Sequence, residues 1–221
     1  MEKLLDEQVI DQVKKTFAQM KEPVQMLFFG SRENCDYCLE AQQLLEELAA
    51  VDEKLGLSVY DLQDHADVAA KFNVDKAPGI VIAAKDGDQI VDFGVQYSGI
   101  PSGHEFSVLI NDILLVSGRD SGLSETVRDF LKHLEKPLHL QVFVTPTCPY
   151  CPRAVLLAHQ IAMENPAMIR AEGVEATEFP GLANQFNVSG VPQTVINAGS
   201  GTVVGAVPES NLIAEIKRAL N

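Results

Sequence analysis

Two Cys-x-x-Cys pairs, Cys35-Asp36-Tyr37-Cys38 and Cys148-Pro149-Tyr150-Cys151, lie 113 residues apart in a chain of 221. That spacing is close to half the chain, and it recurs. Phe72-Asn73-Val74 precedes Pro78 and Val81-Ile82, and Phe186-Asn187-Val188 precedes Pro192 and Val195-Ile196, at an offset of 114. Six of the eleven positions from Phe72 to Ile82 are identical to those from Phe186 to Ile196. The chain is one unit written twice, so whatever it folds into must use the same architecture two times over.

The residues around the pairs predict that architecture. Val24–Gly30 and Leu138–Thr145 are apolar runs of strand length that stop just before each pair. After each pair apolar residues recur at helical spacing: Leu39, Ala41, Leu44, Leu45 and Leu48 in one copy, Ala154, Val155, Ala158 and Ile161 in the other. Each pair therefore opens a helix. Second strands are expected at Leu57–Leu62 and Gly173–Glu178, then short helices ending near Phe72 and Phe186, then third strands led in by Pro78 and Pro192. Asp86-Gly87-Asp88 and Gly199-Ser200-Gly201 are hairpin signals, with fourth strands at Gln89–Phe93 and Thr202–Val207. Final helices fit His104–Val116 and Glu209–Leu220. An amphipathic helix precedes each copy, carried by Leu5, Val9, Val13 and Phe17 and by Val127, Phe130, Leu131 and Leu134. The order per unit is β-α-β-α-β-β-α. Ser117–Gly122, with two Gly and two Ser, reads as the linker and sets the units at residues 1–118 and 119–221.

Composition narrows the partners. Lys and Arg number 17 against 31 Asp and Glu, a net charge of −14, which repels phosphate backbones and anionic membrane surfaces; no nucleic acid and no membrane partner is expected. The N-terminal stretch MEKLLDEQVIDQVKKTF is charged every few residues and carries no apolar signal region. No run approaches the roughly 18 apolar residues of a membrane helix, and a cytoplasmic protein is expected. In such a reducing compartment four cysteines point to catalysis or a metal rather than a disulfide scaffold. Zinc is disfavoured because paired zinc ligands stand about 15–20 residues apart, and each pair here has its own strand and helix. The five His share no ligand spacing with one another or with the pairs, so no metal is expected.

Residues three apart on a first helical turn lie within reach of a disulfide. A sulfur at a helix N-terminus faces unpaired N–H donors, which favours the reactive thiolate. Cys35 and Cys148 are therefore expected as nucleophiles and Cys38 and Cys151 as resolving thiols. The two sites differ. Glu33 and Asp36 oppose ionisation of Cys35, whereas Arg153 and Thr147 surround Cys148 with nothing negative. Residues 1–118 hold 9 basic and 21 acidic residues, and residues 119–221 hold 8 and 10. Cys148 is expected to be the more acidic thiol, with the second unit doing most reductase work.

A strand, a Cys-x-x-Cys at the mouth of a helix and an X-Pro before the third strand resemble a thioredoxin-fold oxidoreductase. The doubled arrangement resembles the protein disulfide oxidoreductase family of thermophilic archaea and bacteria, also described as glutaredoxin-like. The stretches Tyr97-Ser98-Gly99-Ile100-Pro101-Ser102-Gly103-His104-Glu105-Phe106 and Val204-Gly205-Ala206-Val207-Pro208-Glu209 are similar to that family's segments. The resemblance implies an α/β fold of two tandem thioredoxin-fold units, each a mixed central sheet flanked by helices. It implies dithiol–disulfide exchange on protein substrates, with the disulfides Cys35–Cys38 and Cys148–Cys151 as the only redox groups and no bound cofactor. Electrons would then come from a separate flavoprotein of thioredoxin-reductase type, since nothing in the chain resembles a Gly-rich dinucleotide fingerprint. It implies that Pro78 and Pro192 are cis beside the disulfides, with Ala77 and Val191 offering backbone to substrate. Tyr37, Tyr150 and Pro149 shape the sites or cover them.

The chain departs from single-unit thioredoxins in having no Trp, and Asn34 and Thr147 stand before the pairs. Phe29 and Val142 occupy the position of the thioredoxin buried Asp, so Asp61 and Glu178 are the candidates for proton transfer to the resolving thiols. Alternative readings are an electron-relay module resembling the doubled N-terminal domain of the flavoprotein subunit of alkyl hydroperoxide reductase, a glutathione-dependent glutaredoxin, and a binding or chaperone-like protein with incidental thiols. The relay module has a single working pair, whereas both pairs are present here.

Overall fold

The computed structural model describes residues 3–221; the first two residues of the charged N-terminal stretch lie outside the described residues. The first repeat runs α1 (Glu7–Phe17), β1 (Val24–Gly30), α2 (Cys38–Ala49), β2 (Leu55–Asp61), α3 (Ala66–Lys71), β3 (Gly79–Asp86), β4 (Gln89–Ser98) and α4 (Glu105–Gly118). The second runs α5 (Glu125–Lys132), β5 (Leu138–Val144), α6 (Cys151–Glu164), β6 (Ile169–Glu175), α7 (Pro180–Gln185), β7 (Gln193–Ile196), a 3-10 turn at Asn197–Gly199, β8 (Gly201–Val204) and α8 (Glu209–Leu220).

All eight strands form one sheet in the order β2-β1-β3-β4-β6-β5-β7-β8. In each repeat the strand before the Cys pair is central, parallel to one neighbour and antiparallel to the other. The repeats join where β4 and β6 pair in parallel, from Val95 opposite Ala171 to Ser98 opposite Val174. The main core gathers residues of α1, α2, α4, α5, α6 and α8 on one face. The short helices α3 and α7 cover the other face, through Ala69 and Phe72 and through Ala183. The strand directions bring the ends of β1, β2, β4, β5 and β6 and the starts of β3 and β7 to the same end of the sheet.

The repeated Phe-Asn-Val has a backbone reason. Asn73 and Asn187 follow the last turns of α3 and α7 with φ of 55° and 52°, a left-handed conformation that Asn tolerates better than most residues. Two expectations are corrected. The second strands begin earlier, at Leu55 and Ile169, because each is paired from that residue onward with the strand before its Cys pair, Leu55 opposite Val24 and Ile169 opposite Leu138. β4 extends five residues beyond Phe93 because it is paired on both sides, whereas β8, at the sheet edge, stops at Val204. The Ser117–Gly122 stretch begins within the end of α4 and is anchored. Ser117 is fully buried, its hydroxyl accepts from the N–H groups of Lys21 and Glu22, and Ser121 bonds Glu164.

Candidate active site

Both helices bearing the motifs begin at the second cysteine, with Tyr37 and Tyr150 as their caps. The first cysteine therefore stands just ahead of the helix rather than inside its first turn. Each pair is closed as a disulfide, Cys35–Cys38 and Cys148–Cys151, with Cα atoms 5.5 Å apart in both. Cys148 Sγ accepts the N–H of Cys151 at 3.1 Å, a contact that will favour its thiolate when the bond opens. In the first site it is the resolving sulfur that accepts a hydrogen bond, from Ser31 N–H to Cys38 Sγ at 3.4 Å. Cys35 is half-buried, Cys148 is 7% exposed and Cys151 is fully buried. Tyr37 and Tyr150 are 48% and 66% exposed, large apolar surfaces beside the sulfurs.

The Ala77–Pro78 and Val191–Pro192 bonds are cis. Phe29 pairs with Gly79, so Pro78 comes next opposite Gly30, where an added Cβ would lie 3.7 Å from Cys38 Sγ. Phe143 pairs with Gln193 in the same way, which places Pro192 opposite Val144. Ala77 and Val191 are partly exposed ahead of buried prolines. An open cleft of about 440 Å³ reaches the Cys35–Cys38 bond from the side of β2, lined by Arg32, Leu39, Gln42, Val59 and Asp61 among others.

Asp61 ends β2 in this cleft. Its Oδ1 accepts from Gln63 and Asp64 N–H at 3.0 and 3.1 Å, and those bonds, chiefly that of Asp64, with Arg32 hold the carboxyl below its ordinary range. The register counterpart of Asp61 in the second repeat is Glu175, not Glu178, because Gly30 pairs with Asp61 as Val144 pairs with Glu175. Glu178 lies three residues past β6, between the two sites: its Oε1 accepts Ile100 N–H at 2.8 Å from the first repeat. Burial, with Glu175 and Asp36 of the first motif nearby, pushes its pKa up to about 7.

One further acid lies in the family-like segment Tyr97–Phe106, where the sequence assigns it no role. Glu105 opens α4, is 3% exposed, and neither carboxyl oxygen has a hydrogen-bond partner among the described residues. Burial and the charge of Asp112 push it up to about 8. Helices α4 and α6 run side by side in parallel: His104 N–H donates to Pro146 O, Asp112 faces His159, and Ser121 bonds Glu164. The start of α4, where Glu105 stands, thereby lies at the same end of the helix pair as the start of α6 at Cys151. The available signal was spacing, since Glu105 and Asp112 share a helix stripe with Val108, Leu109 and Ile113. His159, one of the five His that share no ligand spacing, is fully buried with Nδ1 2.6 Å from Asp112 Oδ2 and Nε2 3.0 Å from Gln96 O.

Among the described residues no group of three or more His, Cys, Asp and Glu could hold a metal ion, and no helix is long and apolar enough to cross a membrane. Two tandem thioredoxin-fold repeats, each with a reversible disulfide at a helix N-terminus and an X-Pro loop nearby, define a thiol–disulfide oxidoreductase. The thioredoxin domain family matches residues 138–218. The protein disulfide oxidoreductase of Aeropyrum pernix superposes with a TM-score of 0.87 at 31% identity, over 97% of this chain and 94% of that one. The alkylhydroperoxide reductase AhpF of Enterococcus faecalis gives 0.86 at 27% identity, over 96% of this chain and 99% of that one. AhpF of Staphylococcus aureus is 30% identical over 194 residues, 88% of this chain and 34% of the relative, so the chain spans about a third of the length of the curated relatives it matches. The chain belongs to the protein disulfide oxidoreductase family of tandem thioredoxin-fold proteins.

Proposed function

We propose that the chain reduces, oxidises or isomerises disulfides of protein substrates in the cytoplasm through both dithiols, one in each of the units 1–118 and 119–221. Cys35 and Cys148 act as nucleophiles. The thiolate attacks one sulfur of a substrate disulfide, a mixed disulfide forms, and the other substrate sulfur leaves as a thiolate that takes up a proton. Cys38 or Cys151, deprotonated, then attacks the first cysteine and expels the second substrate thiolate. Two electrons have passed to the substrate and the Cys pair is again a disulfide. A flavoprotein reductase of thioredoxin-reductase type would return the electrons. Substrate backbone docks at Ala77–Pro78 and Val191–Pro192, against the exposed faces of Tyr37, Tyr150 and Pro149. Glu105 exchanges the proton of Cys151, a task that a buried acid poised near neutrality performs well. Asp61 and Glu178 serve the first site, Asp61 from the cleft and Glu178 across the junction of the repeats.

The observation that carries this reading is the pairing of a helix-tip disulfide with an adjacent X-Pro loop in both repeats. Insulin reduction driven by dithiothreitol tests it: wild type should accelerate precipitation of the B chain, and Cys35→Ser/Cys148→Ser should not. Equal rates for the two would overturn the function.

The similarity to the AhpF proteins favours a second reading, an electron relay from a flavoprotein to one partner. A relay would retain its activity in Cys35→Ser/Cys38→Ser and leave insulin untouched.

A further inference from the structure

The segment Phe72–Pro78, which leads into β3 at the first site, is held from outside its own repeat. Lys76 Nζ lies 2.9 Å from Glu172 Oε1 on β6, with the side chains 19% and 7% exposed. Glu172 is itself fixed: Ser98 Oγ donates to Oε1, Gln141 Nε2 donates to Oε2 at 3.0 Å, and His139 Nε2 stands 3.6 Å from Oε2. Burial opposes charge on both partners, yet their attraction and these bonds keep Lys76 protonated and Glu172 ionised. Beyond the proline, Pro78 O accepts Gly99 N–H at 2.9 Å, and Ile100 N–H donates to Glu178. Gly99 has φ of +99°, and a Cβ there would come within 2.6 Å of Glu175 Cβ, so the second repeat is pressed against the residue that bonds Pro78 O.

Among the described residues the second site has no such clamp. The residue 114 positions after Lys76 is Gly190, which has no side chain to anchor, and it is exposed together with Ser189. Strand β7 pairs with β5 and with β8, and β8 is the sheet edge.

We propose that Glu172 of the second repeat is a positioning residue for the first redox site: through Lys76 it fixes the loop carrying Ala77 and Pro78 against the Cys35–Cys38 pair. The proposal rests on the reading that this loop receives substrate backbone. The first dithiol works at full rate on protein disulfides only with that carboxylate in place, whereas the second dithiol is indifferent to it.

The test uses the full chain with one dithiol at a time. In a Cys148→Ser/Cys151→Ser background, Glu172→Gln should lower kcat/KM for insulin reduction about tenfold, equivalent to about 1.4 kcal/mol. Exchange of the same dithiol with a small aromatic disulfide, which needs no peptide docking, should stay within twofold. In a Cys35→Ser/Cys38→Ser background the substitution should leave insulin reduction within twofold. Lys76→Met, which leaves Glu172 bonded to Ser98 and Gln141, should reproduce the first-site loss if Glu172→Gln does not fold. The charge-swapped pair Lys76→Glu/Glu172→Lys should regain at least half of the rate. Unchanged first-site insulin reduction, or an equal fall at both dithiols or on the small disulfide, overturns the proposal. Ala77→Asp separates the two readings. If it leaves first-site insulin reduction intact, substrate does not dock at this loop. If it abolishes reduction while Glu172→Gln has no effect, only the positioning role fails.

Discussion

Glu105 is the residue whose environment most changes its chemistry. Unfolded, its carboxyl titrates near 4.5; folded, burial and Asp112 push it up to about 8. Between those values the unfolded chain holds fewer protons than the folded one, so stability is lost as pH rises from about 4.5 toward 8. Glu105→Gln removes this titration. The variant should match wild type at pH 4 and exceed it by up to roughly 3 kcal/mol at pH 7, since each pH step of one above the unfolded pKa costs about 1.36 kcal/mol. Denaturant titrations at pH 4, 6 and 8 check this, and a pH-independent difference would refute it. The same variant should slow the second dithiol and flatten its pH profile above neutrality. Sulfur acidity is a second residue-scale expectation. Cys148 receives the Cys151 N–H, while Cys35 neighbours Asp36 and, through it, Glu178. Alkylation rates against pH should show Cys148 as the more acidic thiol, and the order would be reversed if burial of Cys148 outweighed its hydrogen bond. The cysteines and prolines were legible because a fixed local spacing carries their chemistry. Glu105 was not, because only the packing of α4 on α6 buries it beside Asp112 and brings the start of α4 to Pro146, just ahead of the second Cys pair.

At the scale of elements, the segment from Gly99 to His104 ties the two sites. Gly99 meets Glu175 and Glu178, and Gly103, with φ of +59°, would put a Cβ 2.3 Å from Pro146 O just ahead of the second Cys pair. Both positions need glycine for conformation and for space. Gly103→Ala should therefore cost more than about 1 kcal/mol, seen as a lower denaturant midpoint, and should slow the second dithiol more than the first. Its neighbour Ser102→Ala, at an ordinary backbone, should do neither. Element order and type were readable from periodicity, and Glu209–Leu220 and Val24–Gly30 match the structure end to end. The two largest boundary shifts, at Ile169 and Ser98, belong to the two strands that pair with each other across the repeats. Their length is set by a partner that local sequence does not name.

Over the whole molecule, the net charge of −14 and the acidic first repeat should act on encounter. The rate of reduction of disulfide peptides flanked by Lys should fall as salt is raised from about 20 to about 500 mM, and that of Glu-flanked peptides should rise; the same slope for both would show that steering plays no part. The slopes should be steeper for the first dithiol than for the second. The duplication, the two redox pairs and the strand and helix types follow from the chain alone, because each depends on residues within a few positions of one another. That the repeats share one sheet, that β4 runs beside β6, that Glu172 pairs with Lys76 of the first repeat and that the start of α4 meets Pro146 of the second were decided only by the tertiary structure. Contacts of that kind arise when two surfaces bury each other, and a sequence that repeats itself does not say which edge of one copy will meet which edge of the next.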